Sequence, residues 1–268
     1  TIAQKIIDKV VEISPIYALA ERYNVNGKLV LPKYDATNSS IAMTYATEGT
    51  DVESGKVKFA SIELNGFLAS CLAKISNSLI NNSQFDIVEF VINKMAQAIA
   101  VFIEKELITP TSAKIKGLST VTLGVTSASA TAITSDELID VQDKVVDNFQ
   151  GGAIWVMNRA TRNVVRKLKD GQGNYLLQKD FTAKWGYTLL GKDVYTTDGI
   201  EEIKAGATPI LYGDFSGLAV KVSEDINMQI LREKFATQHM TGILAFLEFD
   251  ADVQDTQKIA KLTMKSAS

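Results

Sequence analysis

Gly186-Tyr-Thr-Leu-Leu-Gly-Lys192 carries the G-x-x-x-x-G-K spacing of a phosphate-binding loop. In such a loop backbone amides cradle phosphate, the Lys reaches the outer phosphates, and a following Ser or Thr holds magnesium as a helix opens. Here the following residue is Asp193, and Val194-Tyr195-Thr196-Thr197 continues as a strand. Without a helix N-terminus the anion loses both dipole and amides. These glycines read as turn-formers. Gly171-Gln-Gly173 begins like a dinucleotide fingerprint but follows a helical pattern and lacks the third glycine, so it too reads as a turn.

Asp214, Asp250, Asp252 and Asp255 invite a metal or paired-carboxylate reading. They fall at strand ends and turns, where Asp commonly bonds its own backbone. His239 is the single histidine, and a lone general base needs a partner that the sequence does not supply. Cys71 is the single cysteine. Its setting, Phe67-Leu-Ala-Ser-Cys-Leu-Ala73, predicts a structural, inert thiol. Four N/S ligands for zinc are lacking, and Ser-His-Asp or Cys-His chemistry has little room. The basic run Arg159, Arg162, Arg166, Lys167 and Lys169 reads as a solvated helix face, with a subunit contact as the alternative. The expected site is therefore empty of chemistry: no catalytic, cofactor-binding or metal-binding residues, no cofactor, no enzyme.

Composition agrees. The chain has 268 residues, 46% hydrophobic and 22% charged, with a net charge of −3. That suits one large domain or two lobes. The acidic balance argues against an electrostatic grip on nucleic acid, while leaving room for loose contact with DNA. The longest near-apolar stretch, Met95–Ile103, is far short of the ~20 residues that span a membrane. A single cysteine suits a reducing cytosol. The opening Thr-Ile-Ala-Gln-Lys-Ile-Ile-Asp-Lys reads as a charged amphipathic helix rather than a secretory signal.

The elements follow from periodicity. Ile2, Ile6, Ile7, Val10 and Val11 form a helical stripe that Pro15 interrupts, and a second short helix is expected over Ile16–Tyr23. From Lys28 to Ile75 the pattern is extended: Leu29 and Leu31 alternate, then Ile41, Met43 and Tyr45. Val57 and Phe59 share one phase and Ile62 and Leu64 the other, which predicts a bulge or a change of buried face. Polar segments separate the strands, so a long two-stranded arm is expected. An isolated hairpin is marginal in water, so it should rest on a partner.

Ser83 and Asp86 predict a capping box opening the longest helix. Val88, Ile92, Met95, Ile99 and Phe102 carry it to about Leu107 before Pro110. Phe90, Val91, Ala98 and Val101 widen the stripe, so the helix reads as a spine buried on two sides. A polar, β-like stretch over Gly117–Ala132 comes next. Thr134 and Glu137 then predict a second capping box, on a helix with Leu138, Val141, Val145 and Phe149 that ends at Gly151-Gly152. Ala153–Met157 reads as a buried strand, and Asn158 as the cap of a helix bearing Val164, Val165 and Leu168. Five strands are expected in the remainder: Ile210–Tyr212, Leu218–Val222, Met228–Leu231, Ile243–Phe249 and Ile259–Met264.

Four short motifs in this order carry a resemblance. They are Ile154-Trp-Val-Met-Asn158 with Thr161, Leu168-Lys-Asp-Gly-Gln-Gly-Asn-Tyr-Leu176, Leu190-Gly-Lys-Asp-Val194 and Gly213-Asp-Phe-Ser216. Together with the element order over the whole chain, they resemble the major capsid proteins of tailed bacteriophages, with the Hong Kong 97-type fold. The resemblance implies an α+β subunit with four parts. These are an amino-terminal arm over 1–34, an extension-loop hairpin over 35–66, a peripheral domain over 67–126 and 222–268, and an axial domain over 127–221.

It further implies homo-hexamers and pentamers that close into an icosahedral shell around double-stranded DNA, which the subunits touch weakly and non-specifically. A scaffolding segment or protein, a maturation protease and a portal are the other implied partners, with no membrane. The implied location is the virion capsid, assembled in the bacterial host cytoplasm. Many relatives lose an amino-terminal segment to the protease, and a chain opening at Thr1 is compatible with that. The hairpin, the arm and the axial lobe are the expected contact regions.

One departure concerns covalent welding. Some relatives join subunits by Lys–Asn isopeptide bonds assisted by a buried acid. The hairpin tip Thr47–Gly55 has no Lys, and Lys56 stands only at its edge. His239 aligns with the Asn position and Phe246 with the acid, so no autocatalytic cross-linking is expected. Two other readings remain: an encapsulin-like nanocompartment shell, and a small nucleotide-binding α/β enzyme using 186–193.

Overall fold

In a computed structural model, described over residues 8, 10–34, 59–84, 86–112 and 114–267, the amino-terminal stripe breaks at Ser14. Residues 10–13 are helical, then the Ser14 side chain accepts from the Tyr17 amide and opens α1, Pro15–Leu19. Pro15 sits in the first turn, where its missing N–H costs nothing. The helix expected to reach Tyr23 stops at Leu19. The chain turns extended instead and forms β1, Glu21–Asn24, because a parallel partner far along the sequence claims its backbone.

That partner lies in a four-stranded sheet of order β1-β11-β12-β4, where β4 is Phe67–Ser76, β11 is Leu218–Leu231 and β12 is Met240–Val253. The strands expected at Leu218–Val222 and Met228–Leu231 are one. Register shifts after Val222 and after Glu224 break the apolar alternation without ending the ladder, so the pattern reads as two short strands. β2 (Leu29–Tyr34) and β3 (Phe59–Leu64) pair as an antiparallel ribbon from Leu29↔Leu64 to Tyr34↔Phe59. The bulge expected between Phe59 and Ile62 is not there, since the register is continuous. Ile62 and Leu64 are buried against Ala219, with Tyr23, Leu29 and Leu31 packed around them. The predicted strand at Ile41–Tyr45, the tip Thr47–Gly55, Lys56 and Val57 lie outside the described residues, as do Ile2, Ile6 and Ile7.

The long helix, α3, is Ile87–Ile108, after the short α2, Asn77–Asn82. Its cap is Asp86, which accepts from the Glu89 amide at 3.0 Å. Ser83 does not cap it because that residue already ends α2. At ~1.5 Å per residue the helix is about 33 Å long. It buries one stripe, Met95, Ala96, Ile99, Ala100, Ile103 and Leu107, against the inner face of the four-stranded sheet. Phe90 and Val101 are each 58% exposed, so the second buried side expected of a spine is absent in this chain alone.

A seven-stranded mixed sheet of order β5-β13-β10-β6-β9-β8-β7 forms the rest. Its strands are β5 Gly124–Thr126, β6 Ile154–Met157, β7 Leu177–Lys179, β8 Tyr187–Leu189, β9 Lys192–Thr196, β10 Ile210–Gly213 and β13 Ile259–Thr263. β6 and β10 are buried on both faces. Ile154, Val156 and Leu211 point into the core shared with α3, while Trp155, Met157, Ile210 and Tyr212 point into a second core. The sheet is thus a wall between two apolar interiors, the arrangement that makes a strand read as an unbroken apolar run. β13, expected with residues 222–268, sits inside this wall between β5 and β10.

Two helices cover the far side. α4, Ser135–Asp143, has the predicted reciprocal cap between Thr134 and Glu137. It stops at Asp143 rather than Gly151, because Asp147–Gly152 tightens into a 3-10 turn. α5, Arg159–Val165, is capped by Asn158, whose Oδ1 accepts from the Ala160 amide at 2.9 Å. It ends before Leu168. Gly213 is required at the end of β10: its φ is +145°, and a Cβ there would lie 2.1 Å from the Lys258 carbonyl oxygen. The architecture is mixed α+β.

Candidate functional site

Most residues singled out for chemistry are tied into the fold. Leu190 and Gly191, with φ of 50° and 78°, make the two-residue turn of a β8–β9 hairpin in which Leu189 pairs with Lys192. Two consecutive left-handed residues suit the twist of the flanking strands. The Lys192 ammonium donates to the Gln150 carbonyl, so it is not held over a loop of free amides. Around Gly171 and Gly173, the Asp170 carboxylate accepts from the Gln172 and Asn174 amides and from the Asn174 side chain. These bonds draw its pKa below the ordinary value.

The four other aspartates separate into two kinds. Asp214 and Asp255 accept from the Ser216 and Gln257 amides in local turns, at 2.9 and 3.0 Å. Asp250 and Asp252 are buried on β12. Asp252 accepts from Thr120 Oγ1 at 2.8 Å and from Lys116 Nζ at 3.3 Å, tying the loop before β5 to the sheet. Asp250 Oδ2 accepts from the Asn65 amide at 2.8 Å, while the fully buried Lys221 donates to the Asn65 carbonyl at 3.0 Å. Asp250 and Lys221 are register partners on β12 and β11. One carboxylate and one ammonium thus hold both backbone groups of the residue that turns β3 into β4. Burial pushes the Asp250 pKa up, against opposing bonds from backbone amides.

His239 is exposed in a left-handed turn before β12, and among the described residues none orients it. Cys71 is half-buried on β4 rather than enclosed. It lines an apolar cavity of about 340 Å³ between β4, β12 and α3, with Phe67, Ala98, Phe102 and Phe249. On the basic run, Arg162 donates to Thr196 Oγ1 at 3.2 Å and lies over the Tyr187 ring, and Lys169 lies over Tyr175. The run is therefore partly engaged with β8 and β9 and is not wholly a solvated face. Phe246 lies on the outer face of the four-stranded sheet, opposite Ser70. Among the described residues no three His, Cys, Asp or Glu side chains are placed to hold a metal ion, and no helix is long and apolar enough to cross a membrane.

One buried pair escaped the sequence reading. Glu104 of α3 accepts from the Tyr195 hydroxyl of β9 at 2.7 Å, and both side chains are enclosed. Burial raises the pKa of each, with Tyr195 and Thr197 bonds pulling Glu104 back and Asp198 pushing it further up. The available signal was phase: Glu104 follows Ala96 and Ala100 at four-residue spacing, on the buried stripe of the helix.

With most of these groups engaged internally, several large apolar side chains are left facing outward. Leu68 and Leu72 project from the outer face of β4, Phe90 and Val101 from α3, Val30 from β2, and Phe181, 90% exposed, from the loop after β7. Such surface favours association over catalysis.

Comparison with known proteins gives one consistent likeness. The model of the Phage capsid family matches residues 1–264. No curated protein matches the chain. Among solved structures, the capsid of an empty GTA particle superposes with a TM-score of 0.80 at 21% identity, covering 95% of this chain and 90% of that one. A chain from Microbacterium phage Oxtober96 gives 0.69 at 18% identity, with 94% and 91% covered. The mature capsid of bacteriophage PhiM1 gives 0.62 at 8% identity, with 95% and 88% covered.

Proposed function

The chain belongs to the phage capsid family, and on that premise we propose that it is a major capsid protein whose copies assemble into hexamers and pentamers of an icosahedral shell enclosing double-stranded DNA. Its role is structural. The observation that carries the reading is the family match along nearly the entire chain. The fold supports it with an apolar surface unsatisfied in one copy and polar groups spent on internal bonds. The encapsulin-like and nucleotide-binding readings are not favoured, and the turn at Leu190-Gly191 removes the second reading's motif.

In finer detail the reading is the Hong Kong 97-type subunit. The β2–β3 ribbon is the base of an extension loop reaching over a neighbour through 35–66. The sheet of β1, β11, β12 and β4 with α3 forms the peripheral domain. The wall of seven strands with α4 and α5 forms the axial domain around 127–221. Sheet membership supports adding β5 and β13 to the axial part. The arm over 1–34 is a further contact. Scaffolding, maturation protease and portal are the proposed other partners, in a virion assembled in the host cytoplasm. The net charge of −3 supports only weak, non-specific contact with packaged DNA.

No residue is assigned a catalytic role, and subunits hold together without isopeptide bonds. His239 and Phe246 occupy the positions where relatives carry the Asn and the acid, and neither can supply that chemistry.

Negative-stain electron microscopy of the purified chain tests the function. Closed shells or ring-shaped capsomers are expected. A persistent monomer whose stability responds to nucleotide would overturn it. Particles boiled in denaturant should run as single chains on a reducing gel, and a ladder of covalent multimers would refute the non-covalent shell.

A further inference from the structure

The Tyr195 hydroxyl has one proton and faces two acceptors: Glu104 Oε1 at 2.7 Å and the Ile13 carbonyl oxygen at 3.2 Å. An ionised Glu104 takes that proton in a charge-assisted bond, the stronger of the two. The phenolic oxygen then presents only lone pairs to Ile13. A protonated Glu104 reverses the order. Its own O–H donates to the Tyr195 oxygen, and the tyrosine proton is free to reach Ile13. With the carboxyl protonated this chain of bonds serves all three groups, whereas the ionised form leaves the tyrosine proton on Glu104 and away from Ile13, and an unsatisfied group in a buried place is costly.

We propose that the Glu104–Tyr195 pair couples the seating of the amino-terminal segment, residues 10–20, to proton uptake: the segment is fastened when Glu104 is protonated and loosened when it ionises. The three groups come from three separate elements, so the bond chain joins the segment to α3 and β9 at one point. Ile16 and Tyr17 bury themselves against the same core, which makes the seating a packing event as well as a hydrogen bond.

The groups around the carboxyl act on that proton from several elements. From β9 the carboxyl meets Tyr195. From the turn after it, Asp198 adds like-charge repulsion, and the uncharged Thr197 adds a hydrogen bond to each member of the pair. Across the tyrosine ring stands Trp185, which does not titrate. On the segment itself, Glu12 and Tyr17 flank Ile13, and each has interactions of its own. Burial is the largest influence and raises the Glu104 pKa above its ordinary value. With the folded value raised, the protonated form is favoured by folding. The fastening is complete at acid pH and is lost as pH rises through the raised value.

Amide hydrogen exchange of the full chain, corrected for the intrinsic pH dependence of exchange, reads this directly. Protection of residues 10–20 in wild type should fall roughly three- to tenfold between pH 5 and pH 8, the worth of one hydrogen bond. Glu104→Gln can donate an N–H to the tyrosine at every pH, so its protection should stay high and flat. Tyr195→Phe lacks both bonds and should be low and flat. Flat protection in wild type overturns the proposal even if neither variant folds. So does a Glu104→Gln chain that keeps the wild-type pH response.

Discussion

The β2–β3 ribbon and the strand pair β6–β10 are both short and sheet-forming, yet they are finished to different degrees. β6 and β10 have every side chain enclosed, with Trp155 stacked on Tyr212 at 4.3 Å and its indole N–H donating to the Leu189 carbonyl at 3.0 Å. Among its described side chains the ribbon encloses Ile62 and Leu64, against Ala219 of β11, and leaves Val30 more than half exposed. One region is complete within a single copy; the other is complete only against something else. In a protein that builds shells, this division of labour lets a subunit fold first and associate afterwards, because the part that must wait contributes little to folding.

That contrast can be broken by substitution. Trp155→Ala should cost about 3–5 kcal/mol of folding stability, through lost packing and an orphaned Leu189 carbonyl, read by urea unfolding. Leu64→Ala should cost less, about 2–3 kcal/mol, because its cluster is small and can collapse. If the two costs are equal, the ribbon is as much a part of the folding core as the central wall, and the contrast fails. Thr134→Ala removes one half of the α4 capping box and should cost about 1 kcal/mol, with Thr134→Ser recovering most of it.

Smaller effects separate the two regions by acidity. Burial pushes the Asp250 pKa up, so its contribution to stability diminishes as pH rises through the raised value. Burial also works to raise Glu137, but bonds from the Thr134 and Ala128 amides outweigh it and its pKa is lowered. Its contribution is present above the ordinary carboxylate range and is lost as pH falls through the depressed value. In melting temperature against pH, Glu137→Gln should therefore flatten the acid limb and Asp250→Asn the neutral side. Opposite assignments would contradict the bonding described. Smallest of all, Val30→Ser should change the stability of the free chain by less than about 0.5 kcal/mol. The yield of closed particles by light scattering should nonetheless fall. An unchanged yield would remove Val30 from the interface.

What the sequence disclosed follows the reach of each interaction. Most local signals survived: the Thr134–Glu137 box, the Asn158 cap and the buried run Ile154–Met157 all stand where periodicity and capping put them, while the Ser83 cap gave way to Asp86. Signals that depend on distant partners did not. Residues 21–23 read as helix until a strand almost 200 positions later claims them. β11 reads as two strands because its irregular register is a property of the pair, not of either sequence. The local-turn role of Asp214 and Asp255 was legible in their places at strand ends. The clamp of Asp250 and Lys221 on Asn65 was not, since nothing in spacing brings those three together.

The parallel pairing of β1 with β11 has a consequence for synthesis. Glu21 meets Ala219, and Phe67 meets Phe249, so both outer strands of the first sheet await central strands from the last quarter of the chain. Contacts so far apart in sequence close late and slowly. A ribosome emitting this chain from its amino terminus exposes the early strands long before their partners exist. The sheet therefore forms only after β11 and β12, almost 200 positions beyond β1, have left the ribosome, and until then its outer strands carry unpaired edges.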